Sequence, residues 1–170
     1  MKFSMVFLCL QLSIAAFAQR KITATDFFTV SGKVKSEKSF TVAALNSFPK
    51  QAFKDQIIYN HKGEIKDTLR NCKGVLLKTV LATTELVYEK PKELNGFYFV
   101  MTASDGYKTV FSWNEIYNTD VGDHLFLITE QDGKPIRNMK HRIALISAAD
   151  LKSGRRYVKA LQKIEIRCIE

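Results

Sequence analysis

Several side chains of this sequence have the right types to do chemistry. Arg155, Arg156 and Lys159 cluster near the C-terminus. A fork of guanidinium donors suits a phosphate or another anion, although such charges also occur as a solvated loop. Arg142, beside the apolar run "IALI", is a weaker candidate of the same kind. The stretch "ASDGYKTVFSWNEI" (Ala103 to Ile116) offers Asp105 and Tyr107 as binding-loop residues. Cys72 and Cys168 each sit near apolar residues. In an oxidising compartment they read as a disulfide, and otherwise as buried free thiols. His61, His124 and His141 lie far apart, and there is no CxxC, Cys/His cluster or HExxH, so spacing marks no metal site. "SAAD" and "FSWNE" contain Ser, Asp and Glu. Nothing in their spacing marks a nucleophile or an acid/base pair, which leaves a hydrolase with little support.

The start of the chain indicates a compartment. Lys2 forms a small positive region, Phe3 to Ala18 is almost wholly apolar, and "AFA" precedes Gln19. This pattern predicts a secretory signal peptide over 1–18, cleaved near Ala18/Gln19, and a periplasmic or secreted product. The run is short for a spanning helix, which needs roughly 20 apolar residues. Cys9 follows "VFL" and lacks the small residues that lipoprotein processing prefers. Residues 19–170 then form one domain of about 150 residues with one core. No later run is long and apolar enough to cross a bilayer. The net charge of +9 falls to +8 once Lys2 is removed. In an exported protein this favours an anionic small molecule or an acidic envelope partner. The lysines are spread rather than clustered, which argues against nucleic acid.

The positioning elements read as mainly β. "FTVSGKV" alternates and is rich in β formers. "FTVAALNSFP" predicts a short strand and a helical turn closed by Pro49. "DQIIYN" and "EIKDTL" flank "HKG", a hairpin turning near Gly63. "CKGVLLKTVLATTEL" carries Val75, Leu76, Thr79, Val80 and Thr83 at helical spacing, which predicts a helix from Gly74 anchored by Leu76, Val80 and Leu81. "VYEKPKELNG" reads as a loop. "FYFVMTA" and "YKTVF" are strands joined by "SDG", where Gly106 supplies the positive φ. Ser112 and Glu115 fit a capping box for the helix "WNEIYN". "HLFLITEQ" and "RIALIS" are further strands. A final strand puts Ile164, Ile166 and Cys168 on one face. About eight short strands with two or three short helices make an α+β domain.

The ordered set "VSGKV…FTVAALNSFP", "GVLLKTVL", "ASDGYKTVFSWNEI", "DGKPI", "RIALISAAD" and "GRRYVKALQKIEI" resembles the molybdopterin-binding domain of the sulfite oxidase family, as a small single-domain exported member. The resemblance spans roughly Thr29 to Ile166. It implies a mainly β, mixed-sheet or barrel-like fold with a few short helices, holding a molybdenum–pterin cofactor. It also implies a cysteine thiolate on the metal, basic groups on the pterin phosphate, and oxygen-atom transfer as the reaction. A soft thiolate donates strongly to such a metal.

This sequence departs from the family where the chemistry is centred. The ligand cysteine of the family falls about a dozen residues ahead of the "GV-L" glycine. Here that region, Ile57 to Thr68, has no cysteine, and the nearest thiol is Cys72. Cys72 is therefore a weak ligand candidate. Its plainer readings are a residue opening the helix or half of a disulfide. The C-terminal pattern of the family, a glycine followed by V-K-W, matches Gly154, Val158 and Lys159, with Ala160 in place of Trp. The expectation is a degenerate, non-catalytic protein binding an anionic small ligand or a partner protein. A molybdenum oxidoreductase and an envelope scaffold with no ligand are the alternatives.

Overall fold

The computed structural model describes residues 21–169, so the leader, Cys9 and the Ala18/Gln19 junction lie outside the described residues. Chain order runs β1 (Phe27–Gly32), β2 (Lys38–Thr41), α1 (Val42–Leu45), β3 (Gln51–Phe53), β4 (Gln56–Tyr59), β5 (Ile65–Leu69), β6 (Cys72–Leu76) and α2 (Leu77–Leu81). It continues through β7 (Phe97–Ala103), β8 (Lys108–Ser112), α3 (Trp113–Tyr117), α4 (Asp120–Asp123), β9 (Leu125–Gln131), β10 (Lys134–Pro135), β11 (Ala144–Ser147) and β12 (Leu161–Cys168). Single 3-10 turns occupy Pro91–Gly96, Ile136–Asn138 and Ser153–Arg155.

The strands form two five-stranded sheets and a hairpin. The first sheet runs β2-β1-β12-β7-β8, and only its β1–β12 pair is parallel, so the sheet is mixed. The second runs β10-β9-β6-β3, with β11 on the far side of β9. β4 and β5 pair only with each other.

Alternation decides which faces are buried. β12 buries Leu161, Ile164 and Ile166 and leaves Gln162 and Arg167 to solvent, as a strand covered on one face does. β9 instead is buried over Leu125–Thr129, because both its faces are covered. Leu125 and Leu127 join the core that packs the two sheets together, with Phe28, Val30, Phe99, Met101, Ile164 and Ile166. Phe126 and Ile128 point the other way, into a second cluster with Ile58, Leu69, Cys72, Ile146 and Tyr157. That second cluster seats the β4–β5 hairpin on the outer face of the second sheet.

The described residues form twelve strands rather than about eight, with β3, β10 and α4 not expected from sequence, and the β6–α2 segment differs in type. Gly74 does not open a helix; it lies inside β6, and the helix begins only at Leu77. "CKGVL" fits either period, and ladder pairing with β3 and β9 decides the matter. A Cβ on Gly74 would lie 2.9 Å from the Leu127 carbonyl and from Phe126 Cβ, so the close approach of β6 to β9 requires glycine there. Val80 and Leu81 do anchor α2 in the core, whereas Leu76 ends β6 and packs against the second cluster. The hairpin near Gly63 and the Ser112 capping box are found as expected, with Ser112 Oγ accepting from Glu115 N at 3.1 Å and Glu115 Oε2 accepting from Ser112 N at 2.8 Å.

Candidate functional site

The β4–β5 hairpin, the β7–β8 turn and the segment from Gly154 to Lys159 enclose a cleft of about 360 Å³. Its walls carry Tyr59, Asn60, His61 and Lys66 from the hairpin, Asp105 and Tyr107 from the turn, and Arg155, Tyr157 and Lys159. That volume lies within the range of roughly 300–1,000 Å³ usual for small-molecule sites.

Local physics fixes each wall. Asp105 accepts from the Tyr107 N–H at 2.9 Å, and Gly106 takes φ 85° to close the turn. The Tyr107 hydroxyl then donates to the Arg155 carbonyl and ties the turn to the loop opposite. That loop is held on its other side by the hairpin, since Ser153 Oγ donates to the Ile57 carbonyl at 3.2 Å. Gly154 lies so close that a Cβ there would meet the Tyr59 carbonyl oxygen at 2.6 Å. Beyond the loop, Val158 exchanges two backbone hydrogen bonds with Leu145 of β11. Ala160 adopts φ 53°, a conformation L-residues avoid, and its carbonyl accepts from Ser104 N. Lys159 is fixed between these two anchors, with its Nζ 5.1 Å from the Tyr157 ring centroid.

The electrostatics are cationic. Burial pushes the Lys159 ammonium below the usual lysine range, with the charges of Lys66 and Lys140 adding to the effect. His141 is likewise lowered, first by burial and then by Lys159 and Lys140. Burial drives the Tyr157 phenol upward, so it stays protonated. Among the described residues, none of Lys66, Arg155 and Lys159 has an ion-pair partner.

The structure therefore brings together four of the residues singled out from sequence, namely Asp105, Tyr107, Arg155 and Lys159. It separates the others. Arg156 turns away from the cleft and is taken by two carboxylates. Its Nε donates to Asp150 Oδ2 at 2.7 Å, its NH2 group to Asp150 Oδ1 at 2.5 Å, and its NH1 group to Glu115 Oε1 at 2.6 Å. Its guanidinium carbon lies 4.2 Å from the Phe111 ring centroid. A guanidinium so engaged has few donors left for a ligand. Arg142 pairs with Asp26 and lies outside the cleft.

Cys72 and Cys168 are both free, and they belong to different sheets. Cys72 is sealed in the second cluster rather than opening a helix, and its thiol lies 3.4 Å from the Arg70 carbonyl. Burial, with Asp132 and Asp55 nearby, pushes that thiol up to about 12. Lys66 is a wall residue that the sequence reading does not single out, and His61 figures there only as one of three scattered histidines. Their only signal is position, since they lie in the Ile57–Thr68 segment where the cysteine is missing.

Comparison with known proteins gives one kind of match. No family model matches the sequence, and no curated protein sequence matches it. Among solved structures, the crystal structure of the sulfane dehydrogenase SoxCD from Paracoccus pantotrophus superposes with a TM-score of 0.60 at 16% identity. The match covers 85% of this chain and 39% of that one, so the chain spans well under half the length of that structure. The fold is sulfite oxidase-like. A likeness at this identity establishes the fold, while chemistry belongs to the site.

The site residues do not fit the molybdenum centre that such folds imply. Among the described residues no thiol lines the cleft, and the segment that should supply one offers Tyr59, Asn60, His61 and Lys66. Cys72 is walled off in the second cluster and does not line the cleft. Among the described residues, no three His, Cys, Asp or Glu side chains converge to hold a metal. The cations of the cleft do fit an anionic group.

Proposed function

We propose that this chain is an exported, non-redox binding protein whose cleft takes an anionic small molecule. The observation that supports this reading is the convergence of Lys66, Arg155 and Lys159, none ion-paired among the described residues, on a cleft whose described lining lacks the expected thiol. Placing like charges together is unfavourable, and a bound anion relieves it. Tyr157 and Asn60 add a ring face and an amide that would orient such a ligand. The sulfite oxidase-like fold supplies the scaffold, and the missing thiolate argues against oxygen-atom transfer.

Titration calorimetry with inorganic phosphate tests the reading, alongside elemental analysis of protein from its native compartment. Saturable phosphate binding that Arg155→Ala weakens about tenfold or more, in protein free of molybdenum, is the expected result. That factor corresponds to loss of one charge-assisted hydrogen bond of roughly 1.5–3 kcal/mol. Stoichiometric molybdenum, or no phosphate binding at millimolar concentration, would overturn it.

A further inference from the structure

A second cavity of about 180 Å³ opens on the other side of Lys159. It is lined by Asp67, Gln131, Lys140, His141, Tyr157 and Lys159, so Tyr157 and Lys159 belong to both cavities. We propose that the site is two-lobed and takes a ligand bearing two anionic groups, with Lys159 between them. This inference rests on the reading of the larger cleft as an anion site.

Size argues for the division of labour. The smaller cavity falls below the roughly 300–1,000 Å³ of ordinary small-molecule sites. It holds one charged group rather than a whole ligand. The larger cleft holds the other group and the body that joins them.

Charge makes the same division. The larger lobe presents Lys66 and Arg155 with His61, and the smaller presents Lys140 with His141. Lys66 and Lys140 both disfavour the Lys159 charge, and Asp67 offsets part of their effect. Leaving the histidines aside, four cations face two carboxylates across the two lobes, a net +2. Both carboxylates are turned toward their own backbone. Asp67 Oδ1 accepts from Thr68 N at 2.8 Å and Asp105 Oδ1 from Tyr107 N at 2.9 Å. Among the described residues Lys140 has no ion-pair partner either. A single anion in the larger lobe would leave Lys140 with only Asp67 in the smaller lobe, and that carboxylate already accepts from its own backbone. A second anionic group beside Lys140 and His141 completes the balance.

The test compares inorganic phosphate with tripolyphosphate by calorimetry on the wild-type protein and on Lys140→Ala, Arg155→Ala and Lys92→Ala. Lys140 is exposed, so its removal leaves the fold intact. Lys92 is an exposed lysine on the Pro91–Gly96 turn and controls for nonspecific attraction. Tripolyphosphate is expected to bind at least tenfold more tightly than phosphate. Lys140→Ala should remove that advantage, with a smaller loss of phosphate affinity. Arg155→Ala should weaken both, and Lys92→Ala neither. Titration of the His141 ring by NMR is expected to show its pKa rising with tripolyphosphate and not with phosphate. The groups facing that ring are Lys159, Lys140, Asp105 and Asp67. Equal affinity for the two probes, or a tripolyphosphate affinity unchanged by Lys140→Ala, overturns the two-lobed site. Phosphate binding through Arg155 would then still uphold the larger cleft alone. Absence of binding by either probe overturns both readings.

Discussion

The Tyr107 hydroxyl donates to the backbone carbonyl of Arg155, two residues 48 positions apart in the chain. This bond clamps the β7–β8 turn onto the loop that carries Arg155 and leads to Lys159. It gives a residue on an exposed turn a part in shaping the cleft. Tyr107 is 42% exposed, so the bond is worth the low end of the usual 0.5–1.5 kcal/mol. Tyr107→Phe is expected to lower unfolding free energy by about 0.5 kcal/mol in urea denaturation. Phosphate affinity should fall by about twofold, which is the same energy expressed in binding. Affinity unchanged in a variant of reduced stability would show that the clamp does not position Arg155.

Gly154 provides a stricter test of the same wall. A methyl group there meets the Tyr59 backbone oxygen at 2.6 Å and Ile58 Cγ2 at 3.2 Å. A backbone atom cannot move aside as the end of a flexible side chain can, so the loop must lift off the hairpin. Gly154→Ala should cost about 1–3 kcal/mol, the range for overpacking, and should weaken phosphate more than Tyr107→Phe does. Chemical denaturation with parallel calorimetry measures both. A variant as stable as wild type would contradict the close approach of the loop to β4.

The parts of this fold that were legible in the sequence are those set by neighbours in the chain. The "HKG" and "SDG" hairpins need only a glycine of positive φ and flanking alternation, and the Ser112–Glu115 box needs only its spacing. β6 carries a helical signal because Val75, Leu76 and Val80 satisfy helical spacing, while the pairing with β9 that makes it a strand comes from fifty or more residues away. The site divided along the same line. Arg155, Lys159, Asp105 and Tyr107 carry their chemistry in type and local motif. The engagement of Arg156 depends on Glu115, 41 residues earlier, and no local signal reports it. His61 and Lys66 become wall residues only when the hairpin folds back over the second sheet.

Arg156 is expected to act on stability rather than on binding. Its side chain is 21% exposed and its partners Asp150 and Glu115 are 13% and 36% exposed. Breaking a fully buried pair costs about 3–5 kcal/mol, and the partial exposure here reduces the expectation for Arg156→Ala to about 2–3 kcal/mol. Arg156→Lys should recover little of it, because an ammonium cannot make the forked contact. Phosphate affinity at a temperature where the variant remains folded should stay within twofold of wild type. A tenfold loss would return Arg156 to the binding site.

The same network sets an acid limb. Burial alone would raise the Asp150 carboxyl, but hydrogen bonds from Arg156 and Ser147 outweigh it and hold it below its ordinary 3.8. Burial is likewise outweighed at Glu115, where the Ser112 N–H and Arg156 hold the carboxyl below 4.5. Both folded values are depressed, so the unfolded chain binds more protons as pH falls. Their stabilisation is complete above about pH 4.5 and is lost as pH falls through the lower folded values. Urea midpoints measured from pH 6 down to pH 3 should show this decline, and Arg156→Ala should flatten it. An equally steep acid limb in the variant would place the titrating carboxylates elsewhere.

Cys72 gives the sharpest separation from metal chemistry. The residue is 1% exposed and burial pushes its thiol up to about 12, so little thiolate forms at pH 8 and the sulfur is walled off. Cys168 is only half-buried at the end of β12. Iodoacetamide at pH 8 is expected to alkylate Cys168 in the native protein and Cys72 only after denaturation, as peptide mass mapping would show. Cys72→Ser should leave phosphate binding unchanged, since the residue touches neither lobe of the site. Its hydroxyl would sit among Phe126, Ile128 and Ile146, with the Arg70 carbonyl as the nearby acceptor, so the cost should be about 1 kcal/mol. Rapid native labelling of Cys72, or loss of phosphate binding in Cys72→Ser, would mean that the hairpin opens and exposes the thiol to the cleft.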